Sequence, residues 1–233
     1  MKQRKYKYDF IFGNKCLEVK NKKSAIIEFM QGGIMKDILS KTLINKTVYV
    51  SDNIKGTHLI STLSSSLNRT NFSSINFGEC EQLIRNKSNI NNNEELILYE
   101  IEHKVKGFNI PIIEYLIFTE EGVYLDLSIC NNMSVQYYIP VDINENEIDL
   151  YNPYSDIYND ECKKVKSDNG VDMTLYDRTK RFNDEDMSLC EKDCIYQGFD
   201  SDTKNVKCDC NLKNDLTYNN DKMSIFDNNL YHI

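Results

Sequence analysis

The chain has no tryptophan, one alanine (Ala25) and three prolines in 233 residues. Without Trp it lacks the aromatic platform that sugar-cleaving enzymes often use. No stretch approaches the roughly 18 consecutive apolar residues of a membrane-spanning helix. A signal peptide is not visible either. Met1–Tyr8 is basic, but only Phe10, Ile11 and Phe12 follow before Gly13-Asn14-Lys15, which leaves no apolar h-region. Basic residues are outnumbered, 28 Lys and Arg against 36 Asp and Glu, giving a net charge of −8 and a pI near 5.0. That balance argues against nucleic-acid binding, which needs clustered cations to displace phosphate counterions. Histidine is scarce: His58, His103 and His232. None stands at motif spacing from a nucleophile, and neither a Gly-x-Ser-x-Gly elbow nor a phosphate loop occurs. No catalytic constellation and no cofactor are therefore expected.

What remains is 40% hydrophobic and 27% charged, enough for one globular domain or two small ones. Eight cysteines stand at positions 16, 80, 130, 162, 190, 194, 208 and 210. The even count, with four crowded at the end, suggests a disulfide framework. Cys190, Cys194, Cys208 and Cys210 have a competing use as four thiolates around a tetrahedral zinc. The first pair has the usual metal spacing, while Cys208-x-Cys210 is tighter than zinc pairs normally are. The tight pair is read instead as two disulfides leaving a strand on opposite faces. Five glycosylation sequons, at Asn45, Asn68, Asn71, Asn86 and Asn132, point weakly to the same oxidising setting.

Apolar spacing predicts a helical start. Ile26, Ile27 and Met30 share one face, then Ile34, Ile38 and Leu39, with Ser24 as N-cap and Gly32-Gly33 dividing two short helices. Short strands are expected over 47–51, 58–63 and 74–77, with a helical turn or two over 80–85. Residues 88–93 read as a surface loop. The clearest strands are 95–105 and 110–118, the latter interrupted by Glu114. Alternation then runs through Val123, Leu125, Leu127 and Ile129, and resumes at Met133, Val135, Tyr137, Ile139 and Val141. Period two over successive segments predicts antiparallel pairing. Residues 142–160 read as an irregular acidic connection, 165–186 as polar chain without a period, and 198–204 as a hairpin turn. The acidic runs 145–149, 156–161 and 184–186 read as solvated loops, and Asp168-Asn169-Gly170-Val171-Asp172 as a plain turn rather than a calcium loop.

Several stretches in order carry a resemblance. They are the Gly32-Gly33 helix, Ser74–Glu81, Ile110–Tyr115, Leu125–Cys130, Tyr138–Val141 and Tyr151–Ser155 with Tyr158–Asp160 and Cys162. Asp177-Arg178 and Ser188–Cys194, running on to Cys208-x-Cys210, complete the series. Over residues 22–213 the chain resembles the membrane-proximal extracellular module of large, Cys-rich, repeat-bearing surface proteins of unicellular eukaryotes. The resemblance implies an extracellular or cell-surface setting, although this chain lacks the repeats, signal peptide and membrane span of such proteins. A fragment, a truncated product and a shed paralogue all fit that departure. Cys194 through Cys208-Asp209-Cys210-Asn211-Leu212 also resembles the motif that closes GAIN domains, β-sandwiches that cut themselves before a membrane span. There Cys-x-Cys-Asn is followed by His-Leu-Thr or His-Leu-Ser. Here Asn211-Leu212-Lys213-Asn214 offers neither the His nor the hydroxyl, so no self-cleavage is expected.

The fold expected is α+β and mostly β, with a helical start, an antiparallel sheet or sandwich and a C-terminal disulfide-stapled hairpin. A leader over 1–21 precedes a single module over 22–213, divided into a helical start (22–43), a β core (47–141) and a Cys-rich closing segment (142–213). A disordered tail follows over 214–233. Cys80 and Cys130 each border a core strand and are expected to pair. Cys190–Cys208 and Cys194–Cys210 are expected in the terminal cluster, with Cys162 as an alternative partner there. Cys16 and Cys162 are left without an assigned partner. The function expected is a non-catalytic spacer or recognition module that meets a protein or glycan; the runner-up is an intracellular zinc module.

Overall fold

The computed structural model describes residues 27–32, 36, 38–41, 43, 49–53, 56–103, 109–212 and 231–232. The leader, Cys16, Ser24, Asn45 and nearly all of the expected tail lie outside these residues.

Among the described residues, ten strands form two antiparallel sheets. Sheet A runs β1 (Tyr49–Asn53), β2 (Gly56–Thr62), β4 (Ile97–His103), β5 (Ile112–Phe118) and β10 (Tyr231–His232), with β6 (Tyr124–Leu125) also paired to β5. Sheet B runs β3 (Ser74–Asn76), β7 (Ser134–Pro140), β9 (Asn205–Asn211) and β8 (Cys194–Asp200). Among the described residues two ten-residue helices stand out, α1 (Glu79–Ser88) and α2 (Leu175–Asp184), beside several shorter ones. The fold is thus α+β with more strand than helix, as the sequence implies.

β4 and β5 are rich in β-branched and aromatic residues, and they lie at the centre of sheet A, buried on both faces. On one face Leu98, Tyr115 and Ile117 look toward sheet B, where Val135, Tyr137 and Ile139 alternate inward along β7. Tyr115 meets both Phe77 and Tyr137 there. The helical start is present at 27–30 and 38–41, where Met30 and Leu39 are fully buried in the core. The β5–β6 turn packs against it. Gly122, at φ +81°, lies so close that a Cβ there would stand 2.8 Å from the Met30 carbonyl oxygen.

Four expectations are corrected. The alternation over 123–129 makes only the short β6. Asp126 then accepts hydrogen bonds from the Ser128 backbone N–H (3.1 Å) and hydroxyl (2.6 Å), turning Leu127–Cys130 into a 3₁₀ helix. The polar segment 165–186 contains α2, started by a capping box in which Thr174 and Asp177 bond reciprocally. The tail is not wholly without structure, because Tyr231–His232 pairs with Tyr115 and Glu114. Finally, Cys208 and Cys210 do not leave β9 on opposite faces. Residues two apart share a strand face, and both point inward beside Val206.

Candidate functional site

Among the described residues three bridges form: Cys80–Cys130, Cys190–Cys208 and Cys194–Cys210. Cys80 opens α1 and Cys130 closes the 3₁₀ turn, so the first bridge ties two connections lying between the sheets. Cys194 and Cys210 are direct cross-strand partners of β8 and β9, with Cα atoms 4.3 Å apart, close to the spacing of a non-hydrogen-bonded pair. Cys190 comes from the turn before β8 and reaches Cys208. These four sulfurs are bonded in two pairs, as the disulfide reading expects, rather than grouped as four around one point. Among the described residues, no group of three or more His, Cys, Asp or Glu is placed to hold a metal. Cys162 is exposed with a free thiol and does not join the cluster.

Among the sequons, Asn68, Asn71, Asn86 and Asn132 are all exposed. The hydroxyl residue differs: Thr70, Ser88 and Ser134 are exposed, while Ser73 is buried and its backbone N–H is held by Glu102. Asn132 lies at a left-handed turn (φ 65°), where its N–H donates to the Leu212 carbonyl beside the end of β9.

His58 and His103 lie on β2 and β4, as the strand pattern suggests. The His58 ring nitrogen is 2.7 Å from the Tyr99 hydroxyl, and His103 is 3.4 Å from Glu114. The acidic runs serve turns and helix ends. Glu145 pairs with Lys204, Asp160 accepts from the Cys162 N–H (2.8 Å), and Glu185 pairs with Arg181 one turn away on α2 (3.0 Å). Asp168–Asp172 is a tight turn closed by the Ser167 N–H donating to the Val171 carbonyl at 2.8 Å.

The densest polar chemistry is a cluster that the sequence reading missed. The chain leaves β2 through a helical turn, Leu63–Ser66, capped by Thr62, and crosses to sheet B through residues 67–73. Arg69 turns inward from this crossing. It is ion-paired with Glu100 and donates to the carbonyls of Ser66 (3.2 Å) and Ser73 (2.6 Å). The Ser73 N–H in turn donates to Glu102 at 2.6 Å. Burial pushes the Glu100 carboxyl up to about 7. Arg69 opposes that rise, and Glu102 adds to it. Beside the cluster the Tyr137 hydroxyl donates to that of Tyr115 at 3.0 Å, and burial raises both phenols above their ordinary range. Glu100 and Glu102, two apart in an apolar strand, were the available signal.

Comparison with protein-family models, curated proteins and solved structures finds no match in any of the three. No described helix is long and apolar enough to cross a membrane.

Proposed function

We propose that the chain is a non-catalytic extracellular module, a membrane-proximal spacer or recognition domain of a cell-surface protein whose partner is a protein or a glycan. The observation that carries this reading is the disulfide framework. Three bridges use six cysteines and close loops of 50, 18 and 16 residues. Such bonds persist in oxidising compartments and are rare where glutathione keeps thiols reduced. The four exposed sequon asparagines agree with that setting. A GAIN-like sandwich that does not cut itself is the second reading. It is supported by the two antiparallel sheets and by the bridged strand β9, which ends at Asn211.

The test is intact mass of secreted protein after blocking thiols under denaturing conditions, with and without reduction. Six thiols that react only after reduction, Cys162 blocked at once, and removable glycan mass are expected. If all thiols are blocked at once and the native sample carries about one zinc per chain, the extracellular reading is wrong.

A further inference from the structure

Glu100 and Glu102 leave the same face of β4, and both are at least 95% buried. One guanidinium, Arg69, answers the two carboxyls. From β5 the facing group is Tyr115, directly opposite Glu100; from β7 it is Tyr137, with Glu191 acting on that phenol. β2 presents the uncharged Leu59 and Thr57 opposite the pair, while His58, His103 and Glu114 lie on the other face of the sheet. Compensation inside the cluster is incomplete. Arg69 Nη1 and Ser73 Oγ are buried with no hydrogen-bond partner among the described residues. With both carboxyls ionised, the cluster carries a net negative charge in a low-dielectric interior. A single guanidinium does not offset that desolvation, and one bound proton neutralises it.

We propose that Arg69, Glu100 and Glu102 form a proton-dependent latch on the crossing between the two sheets, closed while the carboxyl pair holds a proton and loosened as that proton leaves. Every bond of the cluster to the crossing pins backbone: Arg69 holds Ser66 and Ser73, and Glu102 holds the Ser73 N–H. The closed state binds the proton at about 7, whereas an opened crossing returns Glu100 to water and to its ordinary 4.5. A carboxyl raised in this way favours the closed state most at acid pH, and the advantage disappears as pH rises through about 7. Between about pH 5 and pH 8 the opening equilibrium grows about 70-fold.

The test is amide hydrogen exchange on the full, oxidised chain, read as the protection factor of the Ser73 N–H so that intrinsic exchange chemistry cancels. Protection is expected to fall about 70-fold from pH 5 to pH 8. Glu100→Gln, which cannot ionise, should hold Ser73 equally protected at both. Flat protection in the unaltered protein, or a full pH response surviving in Glu100→Gln, overturns the latch. If that variant does not fold, the carboxyl carbon resonance of Glu100 in the unaltered chain decides. A midpoint near 7 shared with the Ser73 amide shift supports the latch, and an ordinary carboxylate midpoint removes it.

Discussion

Replacing both Cys80 and Cys130 with alanine tests how this small core is held. Both are fully buried, and their bridge closes a 50-residue loop that contains β4, β5 and β6. Loop-closure entropy for that length gives a loss of about 4 kcal/mol. Each terminal bridge alone closes a loop of 16 or 18 residues, worth about 3 kcal/mol by the same relation. Those two interleave, in the order 190, 194, 208 and 210, so either one already closes most of the loop that the other would. Removing one of them should therefore cost clearly less than 3 kcal/mol, while removing Cys80–Cys130 costs the full amount. Against a total of about 5–15 kcal/mol for a typical domain, that loss is large. Urea unfolding followed by circular dichroism reads it as a lower midpoint, with a steeper slope if the freed denatured chain expands. A loss below about 1 kcal/mol, or one no larger than that of Cys190→Ala with Cys208→Ala, would refute the loop-closure argument.

Other outcomes follow from single features. Because burial raises both Tyr115 and Tyr137, absorbance titration of the folded protein should leave at least these two of the 15 tyrosines un-ionised until alkaline unfolding; full titration before unfolding contradicts their burial. Gly122→Ala forces a left-handed backbone on alanine and sets its Cβ against the Met30 carbonyl. A loss of about 1–3 kcal/mol is expected in the same melt, and an unchanged midpoint would mean that the turn moves freely. Prolonged incubation of purified protein should leave one intact band on a denaturing gel, and a cut after Asn211 or Leu212 would show self-cleavage.

The elements legible in the sequence are those with a local pattern. β7 shows its alternation openly, β4 and β5 are apolar throughout, and the terminal hairpin is framed by its cysteines. α2 was hidden because its face is polar, although Thr174 and Asp177 marked its start. The 3₁₀ turn was hidden because Leu125 and Leu127 are buried whether the chain runs straight or bends. The Arg69–Glu100 pair spans 31 residues and depends on how the crossing turns between sheets, which no local periodicity reports. The shared face of Cys208 and Cys210 was legible, since strand geometry alone places residues two apart together.

The three bridges also set how far the chain extends under tension. With all of them intact, a pull applied across residues 80–212 takes the covalent shortcuts, and the segment between Cys80 and Cys130 and most of that between Cys190 and Cys210 stay off the load path. At about 3.4 Å per extended residue, the first hides roughly 170 Å of contour and the interleaved pair roughly 60 Å. Single-molecule pulling before and after adding a reductant would show that length released in two steps, so the oxidation state of six sulfurs fixes how far residues 80–212 can extend.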